Sequence, residues 1–139
     1  MVTATGMAAV TLVLQLLEPQ DLVLVPHDCY GGTYRLLSQL KLRQIVNAEF
    51  HNQLDEAFIE KILSRRPKLV WIETPSNPLL RITDIAAIAE AAHSVGSIVV
   101  VDNTFLSPVL QQPLNLGADI VIHSTTKYIN GHSDVVGGA

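Results

Sequence analysis

The chain has 139 residues, of which 48% are hydrophobic and 16% charged, and its formal net charge is −4. This composition excludes a disordered protein, because the apolar side chains are numerous enough to form a sizeable core. The negative charge argues against nucleic acid and against an anionic membrane as partners. The lone cysteine, Cys29, cannot form an internal disulfide. We therefore expect an inert thiol and a cytoplasmic protein.

Neither a membrane span nor a secretory signal is predicted. The longest apolar stretch, residues 8–17, is interrupted by Thr11 and Gln15 and is too short to cross a bilayer. No basic region followed by a cleavage site opens the chain. Both ends resemble cuts through a longer protein, because a helix is predicted almost at once and residues 135–139 stop within a strand or loop. We expect residues 1–139 to be part of a single domain.

Helices and strands are predicted to alternate along the chain. In order, these are helix 6–17, strand 21–25, helix 33–40, strand 44–48, helix 54–64, strand 69–72, helix 84–95, and strands 98–101 and 120–122. Pro19 ends the first helix because proline cannot continue it. Asp84 is the expected cap of the last helix, and Gly96 closes it.

The predicted strands are apolar on both faces. Residues 98–101, Ile-Val-Val-Val, do not alternate with polar residues, which is typical of a strand covered by helices on both sides. Strands separated by helices predict a mostly parallel sheet. The expected fold class is therefore an α/β three-layer sandwich. No G-x-G-x-x-G or P-loop motif indicates nucleotide binding.

Polar residues of chemical interest follow the ends of the predicted strands. They are Tyr30, Asn77, Asp102, Ser124, Thr126 and Lys127. In open parallel sheets, ligands bind beyond the carboxyl ends of the strands. The shared placement of these residues therefore predicts one site.

Lys127 indicates the chemistry of that site. It lies in His-Ser-Thr-Thr-Lys-Tyr, residues 123–128, with Ser124 and Thr126 on one side of an extended segment. Such an amine forms a Schiff base with pyridoxal 5′-phosphate (PLP), and the hydroxyls can donate to its phosphate. Asp102, at a strand end, would keep the pyridine nitrogen protonated, since a buried carboxylate needs a cationic partner. Spacing alone leaves a surface lysine and a turn aspartate as alternatives.

Three further positions have a functional and a simpler interpretation. Tyr30 either stacks on a cofactor ring or packs over its loop, and the glycines after it allow close backbone approach. Asn77, in a loop stiffened by prolines, either faces a ligand oxygen or is a turn residue. Gly6 and Met7 open a helix whose free N–H groups bind anions, unless this is an ordinary helix start.

No metal site is predicted. The five histidines, His27, His51, His93, His123 and His132, show no metal-ligand spacing. Residues 132–134, His-Ser-Asp, are adjacent in the chain and cannot form a catalytic triad with one another.

Five motifs together resemble the Cys/Met-metabolism family of PLP-dependent enzymes. They are residues 5–7, 26–35, 73–78, 101–105 and 124–134, in the family's order and across nearly the whole chain. The resemblance implies the large PLP-binding domain of the aspartate-aminotransferase-like fold. It also implies that residues 1–139 are only part of that domain, without the family's N-terminal segment and C-terminal domain.

The resemblance implies a role for each candidate residue. Cofactor contacts are expected from Gly6, Met7, Tyr30, Asn77, Asp102, Ser124, Thr126 and Lys127. Lys127 and Tyr30 are also the expected catalytic residues. Arg35 matches a family arginine but receives no firm role.

The resemblance further implies small amino-acid substrates. The first expectation is γ-replacement, in which cysteine displaces the acyl group of an O-acylhomoserine to give cystathionine during methionine biosynthesis. A carbon–sulfur lyase, another PLP enzyme such as an aminotransferase, and a non-catalytic α/β binding domain are the alternatives. A homotetramer is expected for the whole protein. The isolated 139 residues are expected to be inactive or poorly folded, because the sheet and the dimer surface of the family are incomplete in them.

Overall fold

A computed structural model describes all 139 residues. In chain order its elements are α1 (Gly6–Leu14), β1 (Leu22–Pro26), α2 (Gly31–Leu42), β2 (Asn47–His51), α3 (Ala57–Arg65), β3 (Leu69–Glu73), α4 (Ile85–Ser94), β4 (Ile98–Asp102), α5 (Ser107–Leu110), a 3₁₀ helix (Pro113–Leu116) and β5 (Ile120–Ile122). No helix among them is long and apolar enough to cross a membrane.

The five strands form one parallel sheet in the order β2-β1-β3-β4-β5. The chain runs outward from β1 to β2, then returns past β1 to β3 and continues to β5. Such a reversal of direction leaves a crevice between β1 and β3 at the carboxyl edge of the sheet, where ligands of open α/β folds bind.

Helices cover both faces of the sheet, which confirms the predicted three-layer α/β sandwich. Alternate side chains of each strand point to opposite faces. Val23 and Val25 of β1 pack in the core that contains the buried residues of α1 and α2. Leu24, between them, packs in the second core with α3 and α4.

The predicted boundary of β2 is wrong by three residues. The prediction was 44–48, whereas pairing with β1 begins at Leu22↔Asn47. Helix α2 runs on to Leu42, and Ile45 N–H donates to Leu40 O at 3.0 Å. The chain then turns at Gln44, whose φ is 58°. The residues that were expected to start the strand, 44–46, therefore belong to the turn that follows α2.

The end of α1 is also displaced from its prediction. The helix ends at Leu14, and the predicted remainder consists of turns whose hydrogen bonds span three residues instead of four, from Leu16 N–H to Val13 O and from Leu17 N–H to Leu14 O. Leu16 is half exposed. The apolar stretch therefore overestimates the length of the helix, because its last residues have little packing to hold them helical.

Two short helices between β4 and β5 escaped prediction. Both α5 and the 3₁₀ helix have four residues, too few for a hydrophobic period to show in the sequence. The segment is fixed by side chains instead. Asn103 Nδ2 donates to Gln111 O, and Gln111 Nε2 donates to Thr74 O, each at 2.9 Å.

Candidate active site

A cavity of about 720 Å³ opens at the carboxyl edge of the sheet, beside the first turn of α1. All eight residues predicted to contact a cofactor line it: Gly6, Met7, Tyr30, Asn77, Asp102, Ser124, Thr126 and Lys127. The structure thus brings together residues that are spread over most of the sequence. Glu73 and Thr104, to which no role was assigned, also line the cavity.

The start of α1 presents free backbone donors to the cavity. The Thr5 side chain caps the helix by accepting from Ala8 N–H at 2.9 Å, whereas the N–H groups of Gly6 and Met7 have no acceptor. A Cβ at Gly6 would lie 2.7 Å from Ser124 Cβ, so only glycine allows this approach. The free N–H groups and the helix dipole make this corner favourable for an anion.

The two predicted hydroxyl donors differ in their surroundings. Ser124 Oγ has no hydrogen-bond partner and is free to donate. Thr126 Oγ1 is already bonded to the backbone of Gly137, donating to its oxygen at 3.3 Å and accepting from its N–H at 3.1 Å. Of the two hydroxyls, Ser124 is therefore the one available to a ligand as the structure stands.

Asp102 ends β4 with one carboxylate oxygen satisfied and one unpaired. Its Oδ1 accepts from Thr104 N–H at 3.0 Å and from Thr104 Oγ1 at 2.6 Å, whereas Oδ2 has no partner. Burial raises the pKa of Asp102, and these bonds and the nearby His123 partly offset that effect. Thr104 Oγ1 in turn accepts from Ser124 N–H at 2.8 Å, so it connects the two sides of the site. The sequence signal for Thr104 was the turn pattern Asp-x-Thr.

Tyr30 precedes α2 and is 46% exposed. Its ring lies against Gly32, where an added Cβ would be 2.6 Å from Tyr30 Cε1 and 2.7 Å from Met7 Sδ. The lack of a side chain at Gly32 therefore lets the tyrosine ring and the methionine approach each other at the cavity wall.

Asn77 lies in an exposed turn after β3, and its side-chain amide makes no hydrogen bond within the protein. Its backbone N–H donates to Glu73 Oε1 at 3.3 Å, and Tyr30 N–H donates to Glu73 Oε2 at 2.7 Å. Burial and the neighbouring Asp102 raise the pKa of Glu73 to about 7. Sequence reasoning missed Glu73, although its position as the last residue of an apolar strand matched that of Asp102.

Lys127 lies in a turn after β5, where its N–H donates to Ser124 O at 3.2 Å. Its ammonium group forms no ion pair and no hydrogen bond with the protein, and it lines the cavity. An amine with no protein partner, in the same cavity as a buried carboxylate, is available to react with a carbonyl compound.

Arg35 and Cys29, which were also considered from the sequence, lie apart from the cavity. Arg35 is not part of its lining. Cys29 is buried, and burial together with Glu73 and Asp28 raises the pKa of its thiol to about 12, which makes it a poor nucleophile. No group of three or more His, Cys, Asp or Glu side chains is placed to hold a metal ion.

The fold and the site define an α/β protein in which a lysine without a protein partner, a carboxylate with one unpaired oxygen and a helix start with free N–H groups line one cavity. The chain belongs to the Cys/Met metabolism PLP-dependent enzyme family, whose model matches residues 1–139. This match confirms the family expected from the sequence motifs, together with its cofactor.

Curated relatives and solved structures agree with this membership. The chain is 57% identical to cystathionine γ-synthase of Escherichia coli (strain K12) over 137 residues, which are 98% of the chain and 36% of the relative. It is 48% identical to cystathionine β-lyase of Coxiella burnetii over 136 residues, 97% of the chain and 35% of the relative. A structure of cystathionine γ-synthase from Xanthomonas oryzae pv. oryzae, in complex with aminoacrylate and cysteine, matches with a TM-score of 0.96 and 56% identity, over 99% of the chain and 36% of that structure. The chain spans about a third of the length of these proteins.

The donor set of the cavity fits PLP. A phosphate needs N–H and O–H donors, which Gly6, Met7 and Ser124 offer without competing protein acceptors. A protonated pyridine nitrogen needs an anionic acceptor, which the unpaired Oδ2 of Asp102 provides. An aldehyde needs an amine, which Lys127 provides.

Proposed function

We propose that the protein carrying this chain is a PLP-dependent cystathionine γ-synthase, and that the cavity beside α1 holds the cofactor. The main support for this proposal is that all eight residues predicted to contact the cofactor line one cavity of about 720 Å³. The 57% identity to the Escherichia coli γ-synthase supports this choice of activity.

The phosphate would be held at the start of α1. Gly6 and Met7 donate their backbone N–H groups, and Ser124 donates its hydroxyl. Thr126 takes part if its hydroxyl exchanges the bond to Gly137 for one to the phosphate. The approach of the helix to Ser124, which requires Gly6, sets the size of this anion site.

The ring would lie between Tyr30 and the carboxyl edge of the sheet. Asp102 Oδ2 would accept a hydrogen bond from the protonated pyridine nitrogen, and that cation would offset the cost of burying the carboxylate. Tyr30 would pack over the ring face, and the free Asn77 amide would bind the ring hydroxyl.

Lys127 would hold the cofactor covalently through its ε-amine and, once replaced by the substrate amine, move the substrate's α proton. When bound, PLP supplies an electron sink for charge that develops on the substrate. Thr104 would keep Asp102 oriented while that charge develops, because it donates two hydrogen bonds to Oδ1.

The proposed substrates are an O-acylhomoserine and cysteine, with cystathionine as product. A carbon–sulfur lyase is the second candidate, because cystathionine β-lyase of Coxiella burnetii is 48% identical over nearly the whole chain. We further propose a cytoplasmic location and, for the whole protein, a homotetramer.

Borohydride reduction tests the cofactor assignment in the holoenzyme at the full length of its relatives. We expect peptide mapping to find a pyridoxyl adduct on Lys127, and none after Lys127→Ala. An unmodified Lys127 in cofactor-saturated protein would instead support a non-catalytic binding domain.

Product analysis tests the activity. We expect an O-acylhomoserine and cysteine to give cystathionine faster than cystathionine is cleaved. Faster cleavage would favour the lyase, and transfer of the amino group to a keto acid as the main reaction would indicate an aminotransferase.

A further inference from the structure

Glu73 is a buried carboxylate at the centre of the site that the roles above leave unused. It is the last residue of β3, is only 6% exposed and lines the cavity. In the sheet it is the register partner of Asp102. Partners in adjacent parallel strands point to the same face, so the two carboxylates lie side by side.

The Glu73 carboxylate joins two loops that come from opposite sides of the topological reversal. Its Oε2 accepts from Tyr30 N–H, in the loop after β1, and its Oε1 accepts from Asn77 N–H, in the turn after β3. No other side chain is hydrogen-bonded to the backbone of both residues. Each loop carries one of the groups assigned to the cofactor ring.

A second connection joins the same two loops. Ser76 Oγ donates to Asp28 Oδ2 at 2.8 Å, and Arg81 Nε lies 3.8 Å from the same oxygen. This connection joins side chains next to Tyr30 and Asn77 but contacts neither residue. Glu73 is therefore the contact that fixes the backbone positions of the two ring-binding residues themselves.

We propose that Glu73 is the positioning residue of the cofactor ring. Its carboxylate sets the separation between Tyr30 and Asn77 and thereby the position in which the ring binds. This inference rests on the proposed function. It assigns Glu73 no contact with the reacting atoms, because its two oxygens are occupied by backbone N–H groups.

The charge state of Glu73 affects this role. Burial and Asp102 of β4 raise the pKa of Glu73 to about 7, and Asp28 of the β1–α2 loop also raises it. The hydrogen bonds from Tyr30 N–H and Asn77 N–H lower the pKa and partly offset this effect. His123, after β5, interacts with Asp102, and the Cys29 thiol stays neutral. Above about pH 7 Glu73 offers two acceptor oxygens, whereas the protonated form at lower pH accepts less well.

The test measures the dissociation constant of PLP for Glu73→Gln and for Glu90→Gln, a matched change at an exposed position of α4 away from the cavity. The amide keeps the shape but places an N–H₂ group against one of the two backbone donors. At about pH 8 we expect E73Q to bind PLP about tenfold more weakly than E90Q, the factor typical of a lost charged hydrogen bond. At about pH 6, where wild-type Glu73 is largely protonated, the difference should shrink to about threefold or less.

The result separates this proposal from the cofactor assignment. If Lys127 carries the reduced adduct, but E73Q and E90Q bind PLP equally at both pH values, the role of Glu73 is overturned and the cofactor assignment stands. A tenfold loss that is the same at both pH values also overturns it, because a general structural defect would not follow the titration of Glu73.

Two measurements keep the proposal falsifiable if E73Q does not fold. Glu73→Asp keeps the charge but is too short to reach both N–H groups, so its affinity at about pH 8 should fall like that of E73Q, and wild-type affinity would contradict the proposal. In the wild-type holoenzyme, hydrogen exchange should find the amides of Tyr30 and Asn77 both protected. Exchange of either amide at the rate of an unstructured peptide would refute the connection.

Discussion

Asp102 is partly buried and has one carboxylate oxygen that the protein leaves unpaired. We expect Asp102→Asn to lower kcat by about 10²-fold or more. The neutral amide lacks the negative charge that would keep the pyridine nitrogen protonated. The measurement is steady-state kinetics of the holoenzyme at saturating PLP.

Asp55→Asn is the matched control for that change. Asp55 Oδ1 accepts from Ala57 N–H at 3.0 Å outside the cavity, and asparagine caps a helix start about as well as aspartate. An Asp102→Asn enzyme as active as this control would show that the carboxylate has no electrostatic role.

Cys29 is predicted to be unreactive in the native protein. Because burial raises the pKa of its thiol to about 12, almost no thiolate is present at neutral pH. We expect iodoacetamide at about pH 8 to leave Cys29 unlabelled in the holoenzyme and to label it after denaturation, as detected by peptide mass spectrometry. Equal labelling rates in the two states would contradict the burial described here.

The first turn of α1 can approach Ser124 only because Gly6 has no side chain. We expect Gly6→Ala to weaken PLP binding about tenfold or more. The new methyl group would lie 2.7 Å from Ser124 Cβ and would push the start of α1 away from the proposed phosphate site. Equilibrium dialysis with PLP provides the measurement.

Gly31→Ala is the control for the helix substitution. Its Cβ would meet only the flexible end of Arg35, at 3.3 Å, at the first position of α2. Its PLP affinity should remain within about threefold of wild type, because a flexible side chain moves away at little cost. Equal losses in the two variants would mean that the effect is not specific to the approach at Ser124.

The strands were predictable because each buried strand is a continuous run of apolar residues in the sequence. Four of the five predicted strands, including 120–122, agree with the structure to within one residue at each end. The boundary of β2 was not predictable, since the turn at Gln44 depends on how far α2 is held by the core. The gathering of Tyr30, Asp102 and Lys127 was predictable from one rule about parallel sheets. The proposed role of Glu73 depends on a hydrogen bond from Tyr30, which lies far away in the sequence, and no local pattern contains that bond.

The whole molecule should become less stable with rising pH when the cofactor is absent. Glu73 has an ordinary pKa near 4.5 and a folded-state pKa of about 7. Its contribution to the free energy of unfolding is therefore fully present below about pH 4.5 and is lost as the pH rises through 7. The loss amounts to about 3 kcal/mol.

Chemical denaturation of the cofactor-free protein between about pH 5 and pH 8 provides the check. Asp102 contributes in the same direction as Glu73, and His123, whose pKa burial lowers, contributes in the opposite one. The comparison with Glu73→Gln isolates the single group, since both other residues remain. A wild-type protein whose stability changes with pH just as that of the variant does would show that Glu73 is not buried as a titrating acid.

Residues near the two ends of this chain meet beside Thr5, the cap of α1. Thr3 exchanges two backbone hydrogen bonds with Gly138, and residues 137–139 pair with 123–125, where Gly137 also holds the Thr126 hydroxyl. Contacts that join such distant positions form late, because the intervening chain must be ordered first. During translation these contacts cannot form until Gly138 has left the ribosome, so the proposed phosphate site at the start of α1 is braced only after residues 1–138 have been synthesised.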